Sequence, residues 1–184
     1  MTTVVVHMQP MAPCSSESPA ADRVLEKFEA IVENVMADYG ATTETLGQDT
    51  LAGVFRNSGD KVQDAWQGIQ AAFAVLEKLG EENGRRKSQN RFPIRVGIGV
   101  HSGPAPPEVQ TEQFAALTQN VSKAEGLSVL NRQTPFPAIF ISKNTLKRLD
   151  GNRGYHIQPL GEAPLHNQGE PMPVYAMMYA LQPA

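Results

Sequence analysis

Apolar and polar positions alternate most regularly over residues 92–103, where every second side chain is apolar. An alternation with a period of two predicts a β-strand. The opposite face of this strand carries Gly97, Gly99 and His101, and the two glycines leave room for a helix or a second backbone to approach closely. The pattern therefore predicts a central strand. Its apolar residues are Ile94, Val96, Ile98 and Val100.

Apolar residues at helical spacing predict three long helices around this strand. The first covers residues 19–38 and ends at Gly40, a residue type that commonly terminates helices. The second begins after Asp60, which is a suitable N-cap, and stops at Gly80. The third covers residues 114–127 and follows the central strand.

The remaining segments are shorter and are separated by turn-forming residues. Residues 81–91, which contain several basic side chains, are predicted to form a solvated loop. The order strand, helix, hairpin, helix, strand, helix, strand predicts an α+β fold, a ferredoxin-like βαββαβ core with additional C-terminal strands. The other predicted elements are strands at 2–8, 41–46, 50–56, 138–142 and 173–181, a short helix at 144–149 and a short element at 160–165.

Composition places the chain among soluble globular proteins. Its 184 residues suit a single domain, residues 1–184, with one sizeable core. The net charge of −3 provides no electrostatic footprint for nucleic acid, and no apolar run is long enough to insert into a membrane. Cys14 is the single cysteine, which excludes an intramolecular disulfide and fits a reducing compartment. These features predict a cytoplasmic location.

Three further stretches accompany the central strand, at residues 39–55, 136–142 and 160–175. In this order the four stretches resemble the class III nucleotide cyclase (adenylate/guanylate cyclase) homology domain. That family runs a helix into a hairpin that ends in Gly-Asp, and it has a strand ending in Gly-Ile-His-Ser-Gly, similar to GIGVHSG at 97–103. The resemblance covers a core at about residues 22–180 and implies the same ferredoxin-like architecture.

The resemblance implies a metal site that this sequence does not complete. The family holds two Mg²⁺ ions with two aspartates, because negative charge develops on the attacking and leaving oxygens together. The first aspartate belongs within residues 5–11, yet no Asp or Glu precedes Glu17. His7 and Met8 cannot replace a hard oxygen donor for magnesium. The second aspartate corresponds to Asp49, which we interpret as a vestigial metal ligand.

The positions that read the base and stabilise the transition state are also altered. The base-reading lysine of the family falls on Thr45, or on Glu44 with a one-residue slip, and neither supplies a cation. The helical Asn and Arg pair falls on Asn120 and Ala124, so only the asparagine is kept. Asn120 is equally well explained as a helix-surface or capping residue. Lys123 is one residue away from the arginine position, roughly 100° around the helix, and should point elsewhere.

Two features near the end of the central strand bear on the same chemistry. The family has a Gly-spaced loop over the nucleotide phosphates, whereas residues 103–107 are rich in proline, which removes amide donors and predicts no phosphate cradle. The family carries His at the strand end without using it for proton transfer. His101 is therefore interpreted as structural.

We predict from these positions a catalytically degenerate class III nucleotide cyclase-like domain, a pseudoenzyme that acts as a regulatory, partner-binding or ligand-sensing module in signalling. No cofactor is expected for it. The alternative is a divergent adenylate/guanylate cyclase, or a cyclase subunit that completes an active site only with an intact partner, and this would require Mg²⁺ and a nucleoside triphosphate. Members of the family generally pair head to tail, so the resemblance also implies a homodimer or a heterodimer with a cyclase-like domain.

Overall fold

The computed structural model describes residues 1–9, 19–56, 59–105, 113–131, 138–151, 153–165 and 170–179, and for residues 19–21 and 113–118 it describes only the backbone. These segments contain seven strands and four helices. The strands are β1 (Thr2–Met8), β2 (Thr42–Gly47), β3 (Thr50–Phe55), β4 (Val96–Ser102), β5 (Ile139–Ser142), β6 (Tyr155–Ala163) and β7 (Met172–Tyr179). The helices are α1 (Pro19–Asp38), α2 (Lys61–Ser88), α3 (Gln113–Asn131) and α4 (Lys143–Leu146).

The strands form one sheet in the order β2-β3-β1-β4-β5-β7-β6. β1 pairs antiparallel with both β3 and β4, which gives the first four strands the ferredoxin-like arrangement that the sequence predicts. β5 then pairs parallel with β4, and β7 and β6 extend the sheet antiparallel. The prediction of an α+β fold with additional C-terminal strands is confirmed.

Helices cover both faces of the sheet. α1 and α2 pack on one face, and this layer holds the larger part of the core, with Phe28 and Trp66 buried in it. α3 packs on the other face. On β1, Val4 and Val6 contribute to the α1 and α2 layer whereas Val5 packs in the α3 layer, because successive residues of a strand face opposite sides.

Gly99 is the position at which α3 comes closest to the sheet. A β-carbon on this residue would overlap the carbonyl oxygen of Ala124, and it would lie 2.5 Å from the backbone nitrogen of Ser128. Only a glycine lets the helix backbone rest directly on the strand at this point. The prediction that the glycine face of the central strand admits a second backbone is therefore confirmed.

α2 continues past Gly80, so the predicted helix end at this residue is wrong. Gly80 lies on an open side of the helix, where a glycine costs about 1 kcal/mol relative to alanine without ending the helix. The side chain of Asn83 donates to the carbonyl of Ile94 at 2.8 Å and accepts from its N–H at 2.7 Å. The Nε of Arg86 donates to the carbonyl of Phe92 at 2.7 Å. These three bonds fasten the last turns to the segment before β4.

The predicted charged loop at 81–91 is consequently helical as far as Ser88. Its basic residues, Arg85 to Lys87, fill the last turn, where positive charge interacts favourably with the helix dipole. The Nε of Arg85 also lies 3.4 Å from the carboxylate of Glu82. The position of these three basic residues is thus explained by the C-terminal end of α2.

Two further elements differ in length from their predictions. α3 extends beyond the predicted range 114–127, because the side chain of Asn131 donates to the carbonyls of Ile98 and Ala138 and so joins the helix end to the sheet. β6 is a nine-residue strand where only a short element at 160–165 is predicted. It lies at the edge of the sheet with mostly exposed side chains, so no apolar alternation marks it.

The helices are amphipathic rather than uniformly apolar. In α1, Val24, Phe28 and Val32 are buried, whereas Glu26 and Glu33 are exposed. Among the helices in the described segments, none is both long enough and apolar enough to cross a membrane.

Candidate functional site

His7 and Asp49 meet at the carboxyl end of β1. The Nε2 of His7 lies 3.3 Å from an oxygen of the Asp49 carboxylate. The other carboxylate oxygen accepts a hydrogen bond from the hydroxyl of Thr50 at 2.8 Å, and the Asp49 carbonyl accepts one from the Met8 N–H at 2.8 Å. The tip of the β2-β3 hairpin is therefore fastened to the end of β1 by contacts within the chain. These are the two places that the cyclase resemblance assigns to the metal ligands.

The donors at this end do not fit two magnesium ions. Mg²⁺ requires a near-octahedral set of oxygen ligands, and a two-metal site requires carboxylates shared between the ions. Asp49 supplies a single carboxylate, and both of its oxygens already contact His7 or Thr50. Across the described segments, no group of three or more His, Cys, Asp or Glu side chains converges on one point.

Strand register places the two residues proposed for the base-reading position, Glu44 and Thr45, on opposite faces of the sheet. Glu44 pairs with Ala52, which packs in the α3 layer, whereas Thr45 pairs with Leu51, which packs in the α1 and α2 layer. His7 shares the face of Ala52, because it lies two residues from Val5 on β1. Glu44 therefore occupies the face of the His7 and Asp49 pair. The carboxylate of Glu44 adds negative charge to this face.

Asn120 is buried near the opposite end of the sheet. Its side-chain amide donates to the carbonyl of Pro104 at 3.0 Å, and its exposure is only 2%. A β-carbon on Gly103 would overlap its side-chain oxygen. The interpretation of Asn120 as a helix-surface or capping residue is wrong, because the side chain anchors the segment after β4 against α3. The predicted loop at 103–107 is described only as far as residue 105.

Ala124 faces the sheet and is completely buried. It packs with Val5, Ala52 and Val121, directly beside the close approach at Gly99. A long basic side chain at this position has no room unless α3 moves away from the sheet. The residue that the sequence resemblance assigns to the arginine position is therefore a packing contact in this structure.

The His7 and Asp49 pair and Asn120 lie toward opposite ends of β1, whereas Ala124 packs against Val5 between them. His7 is at its carboxyl end, whereas the N–H of Gly103, beside Asn120, donates to the carbonyl of Met1 at 3.2 Å. Six residues of extended strand separate the two ends, roughly 20 Å at about 3.4 Å per residue. Asn120 and Asp49 are therefore too far apart to contact the same phosphate group.

A cleft of about 440 Å³ opens where β4 and β5 end, and we name it the His101 cleft. Lys123 lines it, so this side chain points away from the packing face of Ala124, as the sequence predicts. The cleft was not predicted, because its residues come from four separate parts of the chain. Lys143, a basic residue directly after a strand, is the one sequence feature that could have indicated the cleft. Its lining includes His101, Lys123, Lys143, Glu170, Met172 and Pro173.

His101 forms the floor of the cleft and is held neutral. Its Nδ1 shares a hydrogen bond of 2.9 Å with the hydroxyl of Ser142, which also accepts from the Thr145 N–H at 3.1 Å. Burial, together with smaller contributions from the charges of Lys123 and Arg148, lowers the pKa of His101 to about 4. The imidazole is thus a fixed, uncharged part of the structure near neutral pH, consistent with its interpretation as structural.

Comparison with known proteins identifies the architecture. No protein-family model matches the sequence, and no curated protein matches it. Among solved structures, the adenylyl cyclase CyaB from P. aeruginosa superposes with a TM-score of 0.69 at 13% identity, over 96% of this chain and 92% of that one. The chain has the nucleotide cyclase fold.

Two guanylyl cyclase domains from fungi agree with this assignment. The guanylate cyclase domain of RhGC from Catenaria anguillulae, solved in complex with GTP, gives a TM-score of 0.64 at 16% identity, over 97% of this chain and 96% of that one. The non-canonical dimeric guanylyl cyclase domain of the RhoGC fusion protein from the aquatic fungus Blastocladiella emersonii gives a TM-score of 0.67 at 17% identity, over 97% of this chain and 95% of that one. The resemblance inferred from sequence is confirmed for the fold, and the roles of the individual positions stay predictions.

Proposed function

We propose that this cyclase-fold domain is catalytically degenerate and acts as a regulatory, partner-binding or ligand-sensing module. The observation that carries the proposal is the contact between His7 and Asp49. At the place where the cyclase resemblance implies two carboxylates and two cations, an imidazole occupies the space beside a single carboxylate. Without the cations, negative charge on the reacting oxygens would have no counter-charge.

Two further positions support the proposal independently of the metal site. Ala124 is a buried packing residue, so α3 offers no cation at the arginine position. Loss of one electrostatic stabiliser of a transition state typically lowers the rate by about 10²–10³. Glu44 adds a carboxylate to the face that would receive the base of a nucleotide. Each of these changes should lower the rate of nucleotide cyclisation.

The alternative is a divergent cyclase, or a subunit that completes a site with an intact partner. Asp49 favours it, because the carboxylate is retained and remains 42% exposed at the hairpin tip. In that case the domain would supply Asp49 to a site whose other groups come from a partner. Mg²⁺ and a nucleoside triphosphate would then bind only in the assembly.

A substitution at His7 tests the degenerate metal site. His7→Asp should create a pair of carboxylates with Asp49 and hence a site for a divalent cation. With a Kd of about 1 mM, 10 mM Mn²⁺ would stabilise the variant by about 1.4 kcal/mol, or about 3–6 °C in Tm. Thermal unfolding of the wild type and of the control His7→Asn should not respond. A wild type that gains the same shift would contradict the account of this site.

We also propose that the domain pairs with itself or with another cyclase-like domain through the exposed β2-β3 hairpin. The placement of Asn120 and Asp49 toward opposite ends of β1 suits a head-to-tail pair, and one structural neighbour is described as a non-canonical dimer. Thr45→Arg, on the exposed outer strand β2, should lower the mass measured by light scattering from dimer to monomer. Gln70→Arg, an equally exposed change on α2, should leave the mass unaltered. A monomeric wild type at high concentration, or two variants that behave alike, would place the interface elsewhere.

A further inference from the structure

The His101 cleft lies at the carboxyl ends of two adjacent parallel strands. β4 and β5 are the parallel pair of the sheet, and His101 and Lys143 stand at or directly after their ends. In sheets with parallel strands, the crevice outside the carboxyl ends is the usual place for a ligand. α3 contributes one wall through Lys123, and the segment leading into β7 contributes the other.

The charge around the cleft is positive overall. Within the described part of the chain, neither Lys123 nor Lys143 forms an ion pair. Glu170 is the one carboxylate among the lining residues, so the lining carries a net positive charge while His101 is neutral. The neighbours that shift the pKa of His101 are both cations, Lys123 and Arg148. This buried ring therefore experiences a net positive potential.

The size and the remaining lining of the cleft restrict what it can hold. A volume of about 440 Å³ falls within the range of small-molecule sites, about 300–1,000 Å³. Met172 and Pro173 provide an apolar surface on the side of β7. A ligand that matches both the basic and the apolar part of the lining places an anionic group toward the lysines and a compact apolar body toward Met172.

We propose that the His101 cleft binds a small molecule with an oxyanion group, a phosphate or a carboxylate, held by Lys123 and Lys143. The neutral imidazole of His101 completes the floor, and Met172 contacts the apolar body of the ligand. This inference rests on the proposed regulatory function, because it supplies the chemical class of the ligand that such a module would sense. It requires no nucleotide turnover and no metal ion.

Three probes separate the possible sources of the anion. Inorganic phosphate tests the oxyanion alone, phenyl phosphate adds an apolar ring, and benzoate replaces the phosphate by a carboxylate. Isothermal titration calorimetry at 0.15 M salt, where general screening is strong, should show saturable binding of phenyl phosphate or benzoate with a Kd below about 1 mM. Met172→Ala should weaken the aromatic probes and leave inorganic phosphate unchanged.

Matched variants connect the binding to the cleft. Lys123→Gln and Lys143→Gln should each weaken the bound probe about tenfold, since a charge-assisted hydrogen bond is lost. Glu170→Gln should strengthen it severalfold by removing the opposing charge. Lys147→Gln, an exposed lysine outside the cleft, should have no effect. Circular dichroism of each variant checks that the fold is kept.

Two results would overturn this inference. No saturable binding of any of the three probes would exclude the site, and equal weakening by Lys147→Gln would show that the binding is unspecific. A failure of the proposed regulatory function would give a different experimental result from a failure of this inference. Cyclic nucleotide production by the wild type would refute a degenerate domain, while the effects of Lys123→Gln and Glu170→Gln on anion binding would be unchanged.

Discussion

Gly99→Ala should destabilise the domain by at least about 3 kcal/mol or prevent it from folding. The added β-carbon would overlap the carbonyl oxygen of Ala124 and lie 2.7 Å from the β-carbon of Leu127. Backbone atoms cannot rotate away as a flexible side chain can, so α3 must move off the sheet. This movement would also open the packing around Val5. Urea unfolding followed by circular dichroism measures the loss.

Gly80→Ala provides the matched control for this prediction. A β-carbon on Gly80 meets no atom within 4 Å, and the residue lies inside α2. The same change of glycine to alanine should therefore increase the free energy of unfolding by about 0.5–1 kcal/mol. Equal stability of the two variants would mean that α3 does not rest on the strand at Gly99.

His101 should make the domain lose stability as the pH falls from about 6.5 to about 4. The pKa of this side chain is about 4 in the folded protein and 6.5 without burial. Between these values the unfolded chain binds a proton that the folded chain does not bind, so acid favours unfolding. The stabilisation that comes from the neutral His101 is fully present above pH 6.5. About 3 kcal/mol of it is lost when the pH falls to about 4.

The variant His101→Gln isolates this contribution from that of the carboxylates. Glutamine keeps a neutral polar group near Ser142 and cannot be protonated in this range. Between pH 7 and pH 4, the unfolding free energy of the wild type, measured in urea, should fall by about 3 kcal/mol more than that of the variant. Parallel curves, or an NMR titration of His101 with a pKa near 6.5, would contradict the burial of a neutral ring.

Much of the fold could be predicted from local pattern. The period-two alternation around Ile98 marks the central strand, and Gly99 marks the approach of α3, because both signals are contained in a few neighbouring residues. Elements without a buried face gave no such signal. β6 lies at the sheet edge and is largely exposed, and Gly80 has the residue type of a helix end although contacts made by Asn83 and Arg86 hold the helix beyond it.

The candidate site could be predicted only in part. The sequence identifies the positions of His7 and Asp49, but their contact depends on the pairing of β1 with the hairpin, which a linear pattern does not specify. Which of Glu44 and Thr45 faces the side of His7 likewise depends on how β2 pairs with β3. An irregularity between Thr45 and Gly47 shifts this pairing, and a linear pattern does not reveal it. The His101 cleft was missed for the same reason, since distant segments build it.

Production of cyclic nucleotide is the measurement that tests the central claim most directly. The purified chain is incubated with ATP or GTP in the presence of Mg²⁺ or Mn²⁺, and the products are analysed by mass spectrometry, with Asp49→Ala as the control. Loss of the two-metal site and of the arginine, about 10²–10³ in rate for the latter alone, predicts no product above background from either protein. Turnover by the wild type that disappears in Asp49→Ala would contradict the account and establish the domain as a divergent cyclase.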